Sequence, residues 1–173
     1  MEIIEKIKKT SEYLNYIEEH ILNVQKAWKE LQEKCKDMEF VSNPIKYNIL
    51  SNEVCEHDLS KLSEEEFVQY RKSFYPTEQE KYSGKYDFTN AWQHHIKENP
   101  HHWENWTKNI DSDWNIHCVH MVIDWMAMGY NFGDTAQEYY EKNKDNINLP
   151  DFAVEFIYEI FNKILKEINN GNC

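Results

Sequence analysis

The sequence predicts an all-α fold, a single-domain helical bundle spanning residues 1–173. Three observations predict it. Apolar residues recur at steps of three and four through most of the chain, and no segment alternates convincingly with a period of two. Four Gly and four Pro in 173 residues are few for a turn-rich β fold. Hydrophobic residues at 40% and aromatics at 14% suffice for a packed core without disulfide staples, so the chain is not a disordered one.

The elements follow in order. Tyr13, Ile17, His20, Val24, Ala27 and Leu31 form one face of a long first helix, with charged residues mostly opposite. His20 therefore points with the apolar stripe. Asn43 as N-cap and Pro44 as first helical residue open a second helix, which carries Leu50 and Val54 and places His57 and Asp58 near its C-terminus. Ser63 and Glu66 have the spacing of a capping box, and a third helix follows with Phe67, Tyr70 and Phe74 on one side, ending at Pro76. Residues 76–87, polar and holding Gly84, read as a loop. "DFTNAWQHHIKENP" reads as a short helix capped by Asp87 and stopped before Pro100, and "HHWENW" as a turn or a new helical start. Residues 115–129 form a largely apolar helix ended by Gly129. A shorter helix over 133–143 precedes a last one opened by Pro150, with Ala153, Phe156, Ile157, Ile160, Phe161, Ile164 and Ile168 as its stripe.

Composition narrows the function. A formal net charge of −12 argues against general binding to a nucleic-acid backbone but not against a small nucleotide whose charge is met by metal. Cys35, Cys55, Cys118 and Cys173 form no C-x-x-C pair, so neither a zinc ribbon nor a thioredoxin-type motif is indicated. The opening "MEIIEKIKKT" is charged throughout and does not read as a signal peptide, and no apolar run approaches the roughly 18 residues needed to span a bilayer. The expected location is cytoplasmic, with reduced thiols and no membrane partner.

Chemistry concentrates in three places. His57 and Asp58 are adjacent in "CEHDLSK", which suits a metal ion bound at a helix end or a polar terminus in water. Four of the eight histidines, His94, His95, His101 and His102, crowd into "HHIKENPHH", either as a solvated loop or as a ligand cluster. Asp124 lies in the apolar "HMVIDWMAM", where a buried carboxylate needs a cationic partner from another helix, His120 four residues earlier, or a metal. Trp92, Trp103, Trp106, Trp114 and Trp125 surround these stretches, as core or as stacking platforms for a base.

The order H…HD…H…H…D on an all-α chain resembles the HD-domain superfamily of metal-dependent phosphohydrolases, and "HDLSK" is similar to that superfamily's HD-hydrophobic-G-K string, with Ser60 in place of Gly. More narrowly, "HDLSKLSEEEF", "AWQHHIKENPHHWENW" and "MVIDWMAM" resemble a family of small bacterial and phage proteins of unknown function. The resemblance runs from about His20 to Asp124. It implies that His20, His57, Asp58 and Asp124 hold one divalent metal. It further implies that His94 or His95, with His101 or His102, hold a second metal or contact phosphate, and that Lys61 lies near the substrate phosphate. If Phe88, Ala91 and Trp92 are buried, His95 is better aligned than His94.

The residue types agree with that implication. Nitrogen and carboxylate ligands without thiolate suit Mn, Fe, Co, Ni, Zn or Mg and do not choose among them. A divalent ion lowers the pKa of water and polarises a phosphoryl oxygen. Lys61 and Arg71 are positioned in sequence to neutralise phosphate charge, and Asp58 to ligate and accept a proton. The expected activity is therefore a metal-dependent phosphatase or phosphodiesterase acting on a nucleotide or another small phosphate ester, with one or two divalent ions per chain. The alternatives are an HD-fold di-iron oxygenase, with the same ligand order, and a non-catalytic module that binds a nucleotide or a protein. The sequence does not fix the oligomeric state.

Overall fold

The computed structural model describes residues 2–83 and 88–170, with side chains through Leu165. Among these residues the chain is all-helical, with no strand. The helices are α1 (Glu2–Lys34), α2 (Glu39–Ser42), α3 (Pro44–Cys55), α4 (Phe67–Phe74), α5 (Glu78–Tyr82), α6 (Thr89–Glu98), α7 (Trp103–Trp106), α8 (Trp114–Phe132), α9 (Ala136–Asn143) and α10 (Asp151–Asn170), with one 3₁₀ turn at Leu59–Leu62. None is long and apolar enough to cross a membrane. The expected cap Asp87, Gly84 and the Ile168 side chain lie outside the described residues.

The chain divides into two compact units, one of Met1–Ile21 and Asp58–Asn99, the other of Leu22–His57 and Pro100–Cys173. The first is built on a small aromatic core. Tyr13 and Ile17 of α1, Tyr70 of α4 and Ala91 of α6 are buried together, flanked by Tyr16, Phe67, Tyr75 and Phe88. Tyr70 meets Phe88 edge-on at 4.7 Å, and Tyr13 meets Phe67 at 5.3 Å, geometries that aromatic quadrupoles favour. A buried ion pair closes this unit. Both terminal nitrogens of Arg71 meet the Glu80 carboxylate at 2.6 Å, while Glu80 also accepts from the Thr77 amide and completes a capping box at the start of α5. The expected loop over 76–87 thus holds a helix, because Thr77 and Glu80 cap it.

The second unit carries the larger core. Val24, Ala27, Trp28 and Leu31 of α1 pack with Leu50 and Val54 of α3, and with Ile157, Ile160 and Phe161 of α10. They surround α8, whose residues Ile116, Val119, Val122, Ile123, Met126 and Ala127 are all buried. A helix that is apolar nearly all round is a central one. α8 does not stop at Gly129, as the sequence suggested, but continues to Phe132 and is capped by Gly133 in the left-handed region at φ 82°. Gly129 serves a different purpose: a Cβ there would stand 2.1 Å from the backbone oxygen of Asp134, so glycine lets the chain fold back against α8.

Asn43 caps α3 through the amides of Ile45 and Lys46 as expected, and α3 ends at Cys55, which leaves His57 and Asp58 just past its C-terminus, near where they were expected. One further expectation changes. Glu66 forms no capping box with Ser63: α4 begins after it with no side-chain cap, and the carboxylate turns into the fold.

Candidate metal centre

Asp58 anchors the cluster in the first unit. It sits at φ 55°, the one non-glycine residue at positive φ among those described, and so reverses the chain at the end of the α3 turn. Aspartate is among the few L residues that visit this region. The 3₁₀ turn that follows eclipses residues three apart, which sets the Lys61 ammonium 2.6 Å from Asp58 Oδ2. Lys61 is buried, and its ammonium lies 5.7 Å from the ring centroids of both Tyr16 and Tyr70. Two imidazoles also face the Asp58 carboxylate. His20 Nε2, from the buried stripe of α1, lies 3.6 Å from Oδ2, and His95 Nε2, from α6, lies 3.3 Å from Oδ1.

The far edge of His95 fixes its orientation. Its Nδ1 lies 2.8 Å from Glu66 Oε2, and the neighbouring His94 Nδ1 lies 2.8 Å from Oε1. Burial raises the Glu66 carboxyl's pKa, but the hydrogen bonds from His95 and His94 outweigh it and hold the pKa below the ordinary carboxylate value. An ionised carboxylate only accepts, so the His95 proton belongs on Nδ1. In a neutral ring Nε2 then carries a lone pair, aimed at Asp58. Asn99, one helical turn after His95, donates to Ser60 Oγ at 2.7 Å and to the His95 carbonyl, tying α6 to the 3₁₀ turn. Ser60 therefore has a partner that glycine in its place would lack.

The second unit holds a cluster of its own. His57 follows α3, and its Nε2 lies 3.7 Å from Asp124 Oδ1 on α8. His57 Nδ1 is 2.9 Å from His120 Nε2, and His120 Nδ1 is 3.3 Å from Glu53 Oε2. His101 is buried 4.5 Å, centroid to centroid, from both His57 and His120. Each of His57, His101 and His120 offers a ring nitrogen within 4.8 Å of the others. Glu53 receives two imidazoles from one face of α8, His120 and, at 3.4 Å from Oε1, His117. Burial opposes its ionisation, yet the contacts with His117 and His120 hold its pKa at about 2; the Glu53 contact in turn raises that of His117 against desolvation.

Most of the residues singled out in the sequence lie in these clusters. His20, His57, Asp58, Lys61, His95 and His101 are buried; His94 and His102 are partly exposed, and the Asp124 side chain is 19% exposed. His95 rather than His94 is the inward member of its pair, as the alignment with Ala91 implied, and the His102 ring lies 4.4 Å from that of His101, tilted by 35°. Arg71 is the exception. Both arms of its guanidinium are held by Glu80, which leaves a structural ion pair where a phosphate contact was expected. Neither Glu53 nor Glu66 stands out in the sequence as a site residue: Glu53 looks like any other acid in a chain that has 31, and Glu66 reads as a cap.

The residues suit a cation. The donors are nitrogen and oxygen without thiolate, and two carboxylates face ring nitrogens whose opposite edges are hydrogen-bonded. The chain is thus an all-α protein with buried His and Asp groups positioned to hold a metal ion. It belongs to a family of unknown function, DUF5662, which it matches over residues 9–169. No curated protein and no solved structure matches it.

Proposed function

We propose that this protein is a metal-dependent phosphohydrolase of the HD type, acting on a nucleotide or another small phosphate ester. The observation that carries the reading is the spacing at the two aspartates. His20 to Asp58 at 3.6 Å and His57 to Asp124 at 3.7 Å are too long for hydrogen bonds. Two ligand bonds of about 2.1 Å at a tetrahedral angle separate their ligand atoms by about 3.4 Å, so both pairs have the width of one edge of a coordination sphere. We take His20 with Asp58, and His57 with Asp124, as metal ligands, and His95, His101 and His102 as further ligands or as phosphate contacts.

A divalent ion held there would lower the pKa of water and polarise a phosphoryl oxygen. The chain's own groups do the rest. Lys61 brings a buried positive charge against Asp58, where charge on a phosphoryl group can be neutralised. Asp58 has a carboxylate oxygen able to accept a proton from water. Glu66 keeps the His95 ring oriented.

The test is metal analysis of the purified protein, followed by a screen of phosphate monoesters and diesters with Mn, Fe, Co, Ni, Zn and Mg. At least one equivalent of bound ion and metal-dependent release of phosphate are expected. A protein that retains no ion after reconstitution overturns the reading, as does one that consumes dioxygen with iron and hydrolyses none of the esters.

A further inference from the structure

We propose that Glu53, His120 and His57 form a one-way hydrogen-bonded chain that fixes the tautomer of His57 and presents its Nε2 as a bare ligand toward Asp124. Glu53 and His120 are then positioning residues for the metal centre, and the inference rests on the metal reading only for the purpose of the chain, not for its direction.

The direction follows from the groups themselves. Glu53 as a carboxylate can only accept, so its contact at 3.3 Å places a proton on His120 Nδ1. In a neutral ring, His120 Nε2 is then an acceptor. It lies 2.9 Å from His57 Nδ1, which must therefore donate. That leaves His57 Nε2 without a proton, facing Asp124 Oδ1 at 3.7 Å. The reverse direction fails at its first link. A proton on His120 Nε2 leaves Nδ1 bare against the Glu53 carboxylate, acceptor against acceptor. His120 is buried, so such a contact between two acceptors is costly. The arrangement extends the familiar one in which a ligating histidine gives its other N–H to a carboxylate, here through an intervening imidazole. His117, on the other Glu53 oxygen, holds the carboxylate in place.

The chain is read directly by long-range proton–nitrogen correlation NMR on the metal-stripped full-length protein, with ¹⁵N-labelled histidine at pH 8. His57 is expected to carry its proton on Nδ1 and to have a bare Nε2. Added zinc should move the Nε2 resonance and leave the Nδ1 proton in place. His120→Leu should lose this tautomer preference and weaken zinc binding about 10–100-fold in a chelator competition. His120→Gln, whose amide oxygen can still accept from His57, should keep most of both. Glu53→Gln serves where His120→Leu does not fold, and should weaken zinc binding about tenfold. A bare Nδ1 on His57, or zinc bound at Nδ1, overturns the chain; in the latter case His57, His101 and His120 are themselves a ligand set. Failure of wild type to bind any metal overturns the proposed function instead, and leaves the tautomer measurement standing.

Discussion

Replacing Asp58 separates the site from the fold only if the right residue takes its place. Alanine would remove the carboxylate 2.6 Å from the Lys61 ammonium, whose side chain is 9% exposed. Stripping one member from a buried ion pair costs on the order of 3–5 kcal/mol, and a β-carbon without a polar tip at φ 55° adds about 1 kcal/mol. Against a total stability of roughly 5–15 kcal/mol, Asp58→Ala risks unfolding and would report on folding and metal together. Asn tolerates the left-handed region and keeps an oxygen toward Lys61. Its loss is the difference between a charged and a neutral hydrogen bond, about 1–1.5 kcal/mol, which lowers Tm by roughly 2–6 °C in a chain of this length. Metal binding is a different matter, because the amide loses the anionic charge that faces His20 and His95. A fall of more than about 100-fold is expected, beyond what loss of a supporting hydrogen bond produces. Thermal melts in excess chelator give the first quantity and a competition titration with cobalt the second. If Asp58→Asn binds metal within about threefold of wild type, a difference of roughly 0.7 kcal/mol, Asp58 is no ligand and the site is misread.

Two further outcomes test the frame that carries the site. The Glu80 carboxyl is held at about 2, chiefly by its hydrogen bond from Arg71, with desolvation opposing. A carboxylate with a depressed folded-state pKa stabilises above its unfolded value and loses that contribution as pH falls through the folded one. Urea unfolding should therefore show Glu80→Gln about 2 kcal/mol less stable than wild type at pH 7, discounted for partial solvent contact, with the gap closing between about pH 4.5 and 2; a gap unchanged with pH would mean that the ion pair contributes nothing. Gly129→Ala drives a methyl against a backbone oxygen that cannot rotate away, and should cost about 2–3 kcal/mol, or roughly 5–10 °C in Tm; an unchanged melt would show that the chain between α8 and α9 gives way freely.

Much of this was legible in the sequence where periodicity speaks. The stripe of α1 placed His20 inside, the Asn43-Pro44 start of α3 is as expected, and the alignment of His95 with Ala91 chose the inward member of its pair. What escaped depends on groups brought together from separate helices. "SEEEF" carries a capping pattern, but Glu66 is fully buried because two imidazoles of α6 await its carboxylate, and those bonds outweigh a cap on the surface. His120 read as a partner of Asp124 one turn away on the same helix; its ring instead meets His57. The short helices α2 and α5 have too few turns to show a period, and α5 was betrayed only by Thr77 and Glu80.

Contact lengths weigh against the plainest alternative, that these histidines are protonated and merely salt-bridged. A protonated His20 would donate to Asp58, and a protonated His57 would donate to Asp124. Charge-assisted N–H···O bonds close to about 2.7–2.9 Å. On the Glu66 side both imidazole contacts are 2.8 Å, and the Lys61 ammonium reaches Asp58 at 2.6 Å. The His20 and His57 nitrogens that face the two aspartates stand off at 3.6 and 3.7 Å. The packing that lets the first set close to hydrogen-bond length holds the second set apart, although His20, Asp58 and His57 are buried as well. A proton shared across those gaps would have drawn the partners together. A separation kept open, with an acceptor on each side, has the width that a metal ion between them would fill.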